Sequence, residues 1–398
     1  MILGHILSSL GVLGLVCSTG FLVLVLVAVV RFLASRKRAD DFWPNVTLLK
    51  PLHGMEPRLL ENLESFFQQD YPEFEIIFGT RDETDPALTV VDHLRRKYPD
   101  VPVRIAFSGE PDRPNAKVCS LERMLALAST DYFIFSDSDV HVDRSYIRDV
   151  VAPLADPKIG MVTCLYRGVP TGRIWSRLEA LGMSVEMTAG VLAANATEGM
   201  KFALGPTMAT RREALEEVGG IGVLAEYCSD DYLLGNYIAR LGYRVIISDH
   251  VIEHVVVNRS FRDTVLHQVR WMKSTRFSRP LGHLATISTF AMPFGVLALV
   301  GDLLRGKPGA GLVLLLAAFL NRVILALATG WAVVRDRNSL LYSWLYPVRD
   351  FMGFCFWLTS YLGTNIIWRG ETYRLVPGGR MERVGAPAAA PVPVDHLA

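Results

Sequence analysis

The chain has 398 residues, 51% of them hydrophobic and 20% charged, which excludes a disordered polymer that would need low hydrophobicity and high net charge. Its 41 Lys and Arg against 40 Asp and Glu leave a net charge of +1, so no global basic field draws it to nucleic acid. The mean hydropathy of +0.27 is high for a soluble protein and follows from a few concentrated apolar segments.

Residues 1–30 contain no Asp, Glu, Lys or Arg. At 1.5 Å per residue this exceeds the roughly 20 residues needed to cross a bilayer core of about 30 Å. A secretory signal would have a basic start and a shorter apolar run. Residues 1–34 therefore read as an uncleaved transmembrane anchor. Arg31 and Arg36-Lys37-Arg38 follow it, which predicts a cytosolic side for the chain beyond.

Residues 45–280 alternate strand-like and helix-like segments. Residues 46–49 form a short apolar run, and residues 59–69 show helical periodicity. Residues 75–78 read as a buried strand ending before Asp82, 86–98 as a helix, 103–107 as a strand and 117–128 as a helix. Residues 132–135 read as a strand ending at Asp137-Ser138-Asp139, and 146–154 as a helix. Such alternation predicts an α/β fold with a doubly wound, mostly parallel sheet. In these sheets ligands bind beyond the carboxyl ends of the strands, which makes Asp82, Asp137 and Asp139 the first candidates for chemistry. No Gly-rich dinucleotide loop or P-loop occurs.

Asp137 and Asp139 stand two residues apart, on one side of an extended chain, and are a candidate site for Mg²⁺ or Mn²⁺. The same triplet would also serve as a helix-capping turn without metal. Residues 178–194 are apolar but interrupted by Glu179 and Glu186. They read either as an element shaping an acceptor entrance at the membrane surface or as a plain core helix. Residues 202–208 read as a strand whose Gly205 allows a close backbone approach or marks a bulge. Asp230-Asp231 opens a helix predicted from Tyr232 to Leu241; one acid is explained by the helix dipole, two less readily. A helix predicted over 261–275 carries His267, Arg270 and Trp271. Its basic character also suits an anionic membrane surface.

Residues 281–370 form a second hydrophobic region. Residues 280–301 are long enough to span. A stretch from 309 to 334 carries Asn321-Arg322 near its middle, where an Arg is expected to face a protein interior, against a carbonyl or a carboxylate. Residues 351–368 form an 18-residue run that either spans or dips in and returns. Residues 371–398 are a tail: its arginines favour the cytosol, one further crossing would place it outside, and its Ala/Pro-rich end reads as disordered. Five cysteines without a Cys-x-x-Cys pair imply no disulfide framework and no structural zinc site. No feature sets an oligomeric state.

In order, an Asp after an early strand, Asp-x-Asp, a later Asp-Asp and Arg270-Trp271 resemble the family-2 type inverting glycosyltransferases of GT-A fold. Leu49-Lys50-Pro51-Leu52-His53-Gly54, Asp70-Tyr71-Pro72, Asp82 with Pro86, Asn115-Ala116-Lys117 and Asp231-Tyr232 are similar to the ceramide glucosyltransferase branch, which includes bacterial hopanoid glycosyltransferases. The resemblance covers about residues 10–380. It implies an integral membrane enzyme with its catalytic domain facing the cytoplasm, as at a bacterial inner membrane. It implies a UDP-sugar donor and a lipid acceptor, with glucose transfer to ceramide as the first expectation and N-acetylglucosamine transfer to a hopanoid as the second. By the same resemblance, Asp82, Asn115 and Lys117 serve the nucleotide, and Asp137 and Asp139 organise the divalent cation on its diphosphate. Asp231 is the general base, and Arg270 and Trp271 hold diphosphate and acceptor. His267 departs from the family's Gln or Arg, which leaves a donor to phosphate but a different one. A processive polysaccharide synthase would need a longer transmembrane bundle, and a non-catalytic lipid-binding scaffold would have no affinity for UDP or metal.

Overall fold

The apolar run that opens the middle of the chain becomes β1 (Val46–Pro51), every residue of which but the last is buried. β2 (Phe74–Thr80), β3 (Val103–Phe107) and β4 (Tyr132–Phe135) follow, all parallel to one another, with Leu48 of β1 in register with Ile76 on one side and Ile134 on the other. The helices Leu59–Phe67, Ala87–Lys97 and Ala116–Leu125 make the crossovers, placing Leu63, Phe66, Val91, Leu94, Leu121 and Met124 in the core. β5 (Val140–His141), β6 (Ile159–Pro170), β7 (Met208–Arg211) and β8 (Arg244–Val256) complete an eight-stranded sheet of order β3-β2-β1-β4-β7-β6-β8-β5. The chain runs outward from β1 through β2 and β3, then returns to place β4 on the other flank of β1. The strand order thus reverses between β1 and β4, the position where doubly wound sheets bind ligands.

The computed structural model describes residues 1–35, 41–257, 260–368 and 370–384. Two units emerge from the contacts. The sheet unit comprises Lys37–Tyr166, Met200–Val255 and Trp368–Ala398; the helical unit comprises Met1–Arg36, Arg167–Gly199 and Val256–Ile367. The helix Phe261–Ser278, with its Ser260/Asp263 capping box, belongs to the helical unit, and the hairpin Glu371–Leu375/Met381–Arg383 to the sheet unit. The predicted basic flank 36–38, Arg369 and the Ala/Pro-rich end lie outside the described residues.

In the helical unit, Ile2–Ala34 is a single helix of 33 residues, long and apolar enough to cross a membrane. It packs through small residues: a Cβ on Gly11 would stand 2.5 Å from Ala298 N, and one on Gly301 would stand 2.3 Å from Ser8 N. Small side chains let the backbones meet, which is how helices associate where lipid removes the hydrophobic drive. Pro308–Val333 is a second helix of spanning length, its last turns π-helical.

Three expectations are corrected. Residues 280–301 are not one straight span: Pro280–Thr289 and Met292–Leu304 meet at 54°. The break is held by polar groups, because Asp350 Oδ2 accepts from the backbone N of Ala291 at 3.0 Å and Met292 at 2.8 Å, while Arg322 Nη1 donates to Thr289 O at 2.5 Å. Of the two readings of residues 351–368, the single span fails, because the run does not continue as one helix. The helix Tyr346–Thr359 ends in a turn with Gly363 at φ 71°, followed by the strand Asn365–Trp368. The expected strand 202–208 is a turn, and the strand begins only at Met208; the backbone at 204–205 is committed to side chains instead of a ladder. Arg322 is 1% exposed and pairs with the Asp350 carboxylate at 3.2 Å, the carboxylate contact expected of an intramembrane Arg.

Candidate active site

Parallel register puts three chain turns on one edge of the sheet. Lys50 sits at the end of β1 opposite Phe78, Asp82 lies two residues beyond β2, and Asp137 two residues beyond β4. The Lys50 side chain is fully buried. Its Nζ donates to Asp137 O at 2.5 Å and to Ser136 Oγ at 3.3 Å, and lies 3.6 Å from the centroid of the Phe66 ring. Burial lowers its pKa to about 7 against the opposing pull of Asp137 and Asp139. An ammonium donating to a backbone carbonyl fixes the turn that carries both carboxylates.

Asp137 Oδ1 lies 2.5 Å from Lys117 Nζ. Lys117 is in the first turn of the helix Ala116–Leu125, where a cation opposes the helix dipole. Burial would lower its pKa, but the charges of Asp137, Asp230 and Asp231 outweigh burial and hold the ammonium above its usual range. Asn115 caps that helix by accepting from Val118 N at 3.2 Å, and its Nδ2 donates to Tyr227 O at 2.9 Å and Asp230 Oδ1 at 3.1 Å.

Asp139 Oδ2 lies 3.0 Å from His254 Nε2 on β8, and the His254 ring packs edge-on to Tyr166. Burial raises the Asp139 pKa, His254 opposing and Asp137 adding to the shift. Asp139 Oδ1 is buried with no hydrogen-bond partner among the described residues. A buried carboxylate oxygen without a donor is costly unless it meets a cation. Together with Asp137 it fits Mg²⁺ or Mn²⁺, which take few protein carboxylates and complete their shell with water and phosphate oxygens. Among the described residues no three His, Cys, Asp or Glu side chains form an all-protein cage.

Asp231 opens the helix Asp230–Arg240. Its Oδ2 accepts from Gly205 N and its Oδ1 from Tyr232 N, both at 2.8 Å. A Cβ at Gly205 would stand 3.0 Å from Oδ2, so the close-approach reading of this glycine is the one realised. Burial first, then the Asp230 charge, raise the Asp231 pKa to about 6. The Tyr166 hydroxyl is pushed up by burial first, and the charges of Asp231, Asp137 and Asp139 add to the shift.

Asp82 is not among these groups. It is exposed and accepts from Thr84 N at 2.8 Å and Thr84 Oγ1 at 2.5 Å. It lines an open cleft of about 450 Å³ with Arg81, Glu83, Phe107, Ser108, Gly109 and Arg123. Strand spacing sets it about 10 Å along the same edge from Asp137. His267, Arg270 and Trp271 belong to the helical unit. There His267 Nδ1 lies 2.5 Å from Glu179 Oε1 of the helix Ile174–Gly182, and its ring packs 4.4 Å from that of Trp271. Glu179 is thus a buried partner of His267.

Sequence reasoning quoted Lys50 only within a motif and missed Tyr166 and His254 altogether. Lys50 carried a signal, a lone cation closing an apolar strand, whereas His254 alternates with apolar residues like any core position.

A family model described as Glycosyl transferase family 21 matches residues 10–381. Ceramide glucosyltransferase 1 of Caenorhabditis elegans is 26% identical over 378 residues, 90% of this chain and 79% of that protein. A ceramide glucosyltransferase of Komagataella phaffii is 42% identical over 101 residues, 24% of this chain and 20% of the relative. Among solved structures, a mannosyltransferase from Pyrobaculum calidifontis, in complex with GDP-Man and Mn²⁺, is similar with a TM-score of 0.59 at 20% identity. That match covers 89% of this chain and 99% of the other, and is a likeness of fold.

Proposed function

Since the chain belongs to glycosyl transferase family 21, we propose that this GT-A glycosyltransferase moves glucose from UDP-glucose to the primary hydroxyl of a ceramide, with inversion at the anomeric carbon. The observation that carries the reading is the Asn115–Lys117 turn at the strand-reversal edge: Lys117 Nζ lies 2.5 Å from Asp137 Oδ1, and Asn115 Nδ2 donates at 3.1 Å to Asp230 Oδ1, next to Asp231. The names of the relatives favour glucose and ceramide over N-acetylglucosamine and a hopanoid.

The chemistry follows from the side chains. Asp231 takes the proton from the acceptor hydroxyl, the acceptor oxygen forms the new bond to the sugar's anomeric carbon, and the bond to the diphosphate oxygen breaks, releasing UDP. Gly205 N and Tyr232 N orient the Asp231 carboxylate, and a pKa near 6 leaves it ionised yet basic at neutral pH. Lys117 balances Asp137 and offers positive charge toward the leaving diphosphate. Asp137 and Asp139 would hold a divalent cation, which when bound supplies further charge neutralisation at the diphosphate. Asp82, at the neighbouring cleft, serves the nucleoside end. Arg270 and Trp271 keep the diphosphate and acceptor roles that the family resemblance assigns, and His267, whose Nδ1 meets Glu179, stands where the family has Gln or Arg.

The membrane plan supports a lipid acceptor. Residues 200–255 and the hairpin 371–383 belong to one unit, so the chain between them crosses an even number of times. Pro308–Val333 supplies one crossing and the bent pair Pro280–Thr289 and Met292–Leu304 a second if it is one span, while the 14-residue helix Tyr346–Thr359, about 21 Å long, stays short of a full span. With the N-terminal helix this makes up to three crossings, and we read the sheet unit as cytosolic.

Purified protein with UDP-glucose, ceramide and Mn²⁺ is expected to release UDP and form a β-glucoside. UDP-N-acetylglucosamine in competition separates the second donor. Absence of UDP release with either donor, across ceramide and hopanoid acceptors, contradicts the reading.

A further inference from the structure

Asp231 is three residues from a segment, 225–228, that two other parts of the sheet unit hold by hydrogen bonds to its backbone. Asn115 N donates to Ala225 O at 2.8 Å and Asn115 Nδ2 to Tyr227 O at 2.9 Å. The opposite side is held by the C-terminal hairpin. Met381 N donates to Glu226 O at 2.7 Å, Cys228 N donates to Gly379 O at 3.1 Å, and Tyr227 and Arg380 form an antiparallel bridge. Arg380 Nη1 adds a contact to Glu226 Oε2 at 3.6 Å, and its Nη2 reaches Glu382 Oε1 at 3.7 Å. Gly378 and Gly379, both at φ 85°, make the tight turn that presents these groups.

The first strand of the same hairpin begins at Glu371. Hydrogen bonds from Arg383 and Tyr373 hold the Glu371 carboxylate below its usual range, and the charge of Arg81, which lines the cleft, contributes to that shift. The hairpin borders the base loop through its turn 378–381.

We propose that the turn 378–381, with Arg380 as its side-chain anchor, is the positioning element of the base: it pins the 226–228 segment from which the Asp231 helix starts. The inference rests on the reading of Asp231 as general base. Arg380 touches no reacting atom and acts only through Glu226 and the backbone. Turnover depends on a base held to within a fraction of an ångström, and a displacement of about 1 Å can cost about 10²-fold. Freeing this segment should therefore lower kcat without removing the nucleotide site.

The test uses the full chain in lipid nanodiscs, with Arg380→Ala, Arg380→Lys and the charge-swapped pair Arg380→Glu/Glu226→Arg. Arg380→Ala is expected to lower kcat about tenfold while the KM for UDP-glucose stays within about twofold. Its kcat profile should lose the acid limb near pH 6, because a loosened, more hydrated Asp231 returns toward an ordinary carboxylate. Amide exchange in peptides spanning residues 224–233 should quicken about tenfold or more, with β1 and β2 unchanged. Arg380→Lys should fall between, and the swapped pair should recover both exchange and kcat to within about threefold. Unchanged exchange at 224–233 in Arg380→Ala, or quickened exchange with wild-type kcat and pH profile, overturns the proposal. Exchange is read without turnover: an inactive wild type with an intact clasp would defeat the proposed function alone, and an active wild type with no Arg380 effect would defeat the clasp alone.

Discussion

Gly205 N donates to Asp231 Oδ2 at 2.8 Å, and the same oxygen lies 3.0 Å from where a Cβ on Gly205 would stand. The glycine is what lets a backbone N–H reach the carboxylate at the start of the Asp230–Arg240 helix. Gly205→Ala forces either the loop or the carboxylate to move by a few tenths of an ångström. The expected result is a fall in kcat of about tenfold, with UDP affinity by calorimetry within about twofold of wild type. Unaltered kcat would mean that this contact does not set the base.

Asp231 also sets a pH dependence. Its pKa is raised to about 6 by burial and by Asp230, and a general base works only when ionised, so kcat should fall about tenfold per pH unit below about pH 6 and level off above. Folding linkage runs the other way. The folded state binds this proton more tightly than the unfolded chain, so the stability associated with Asp231 is fully present below its ordinary 3.8 and is lost as pH rises through about 6. Asp231→Asn cannot ionise and is expected to melt higher than wild type at neutral pH while kcat drops by about 10²- to 10⁴-fold. A melting temperature lower than wild type would contradict the burial argument.

The orphaned Asp139 Oδ1 predicts a cation effect readable without catalysis. With UDP and Mn²⁺ at about 100 times Kd, a ligand specific to the folded state stabilises by about 2.7 kcal/mol. Thermal shift should show that gain in the wild type. Asp139→Asn should abolish the Mn²⁺-dependent part and retain whatever UDP alone supplies. A gain in the variant equal to that of the wild type would remove Asp139 from the cation site.

In the helical unit, Arg322 and Asp350 are 1% and 2% exposed and pair at 3.2 Å. Arg322→Leu leaves a buried carboxylate without its partner and is expected to destabilise by about 3–5 kcal/mol, measured by unfolding in detergent. Arg322→Leu/Asp350→Leu should recover only part of that loss, because Asp350 also accepts from Ala291 N and Met292 N at the helix break. Full recovery would show that the break needs no cap.

The sequence by itself determined the elements whose signals are local. Apolar runs at 46–49, 75–78 and 132–135 specify buried strands because nothing else hides consecutive apolar residues in so short a length, and parallel order places Asp82 and Asp137 at one edge. The uncharged first 30 residues specify a spanning helix because the bilayer core exacts a minimum length. Tertiary structure alone decided that Lys117 meets Asp137, that Lys50 holds the Asp137 main chain and His254 the Asp139 carboxylate, and that Gly205 meets the Asp231 carboxylate instead of joining a strand. It also decided that the 280–301 run bends and that Arg380 returns to meet Glu226. These are pairings over tens to hundreds of residues, where one hydrogen-bonding group looks like any other until the fold supplies its partner; periodicity reports which face is buried, not which polar group waits there.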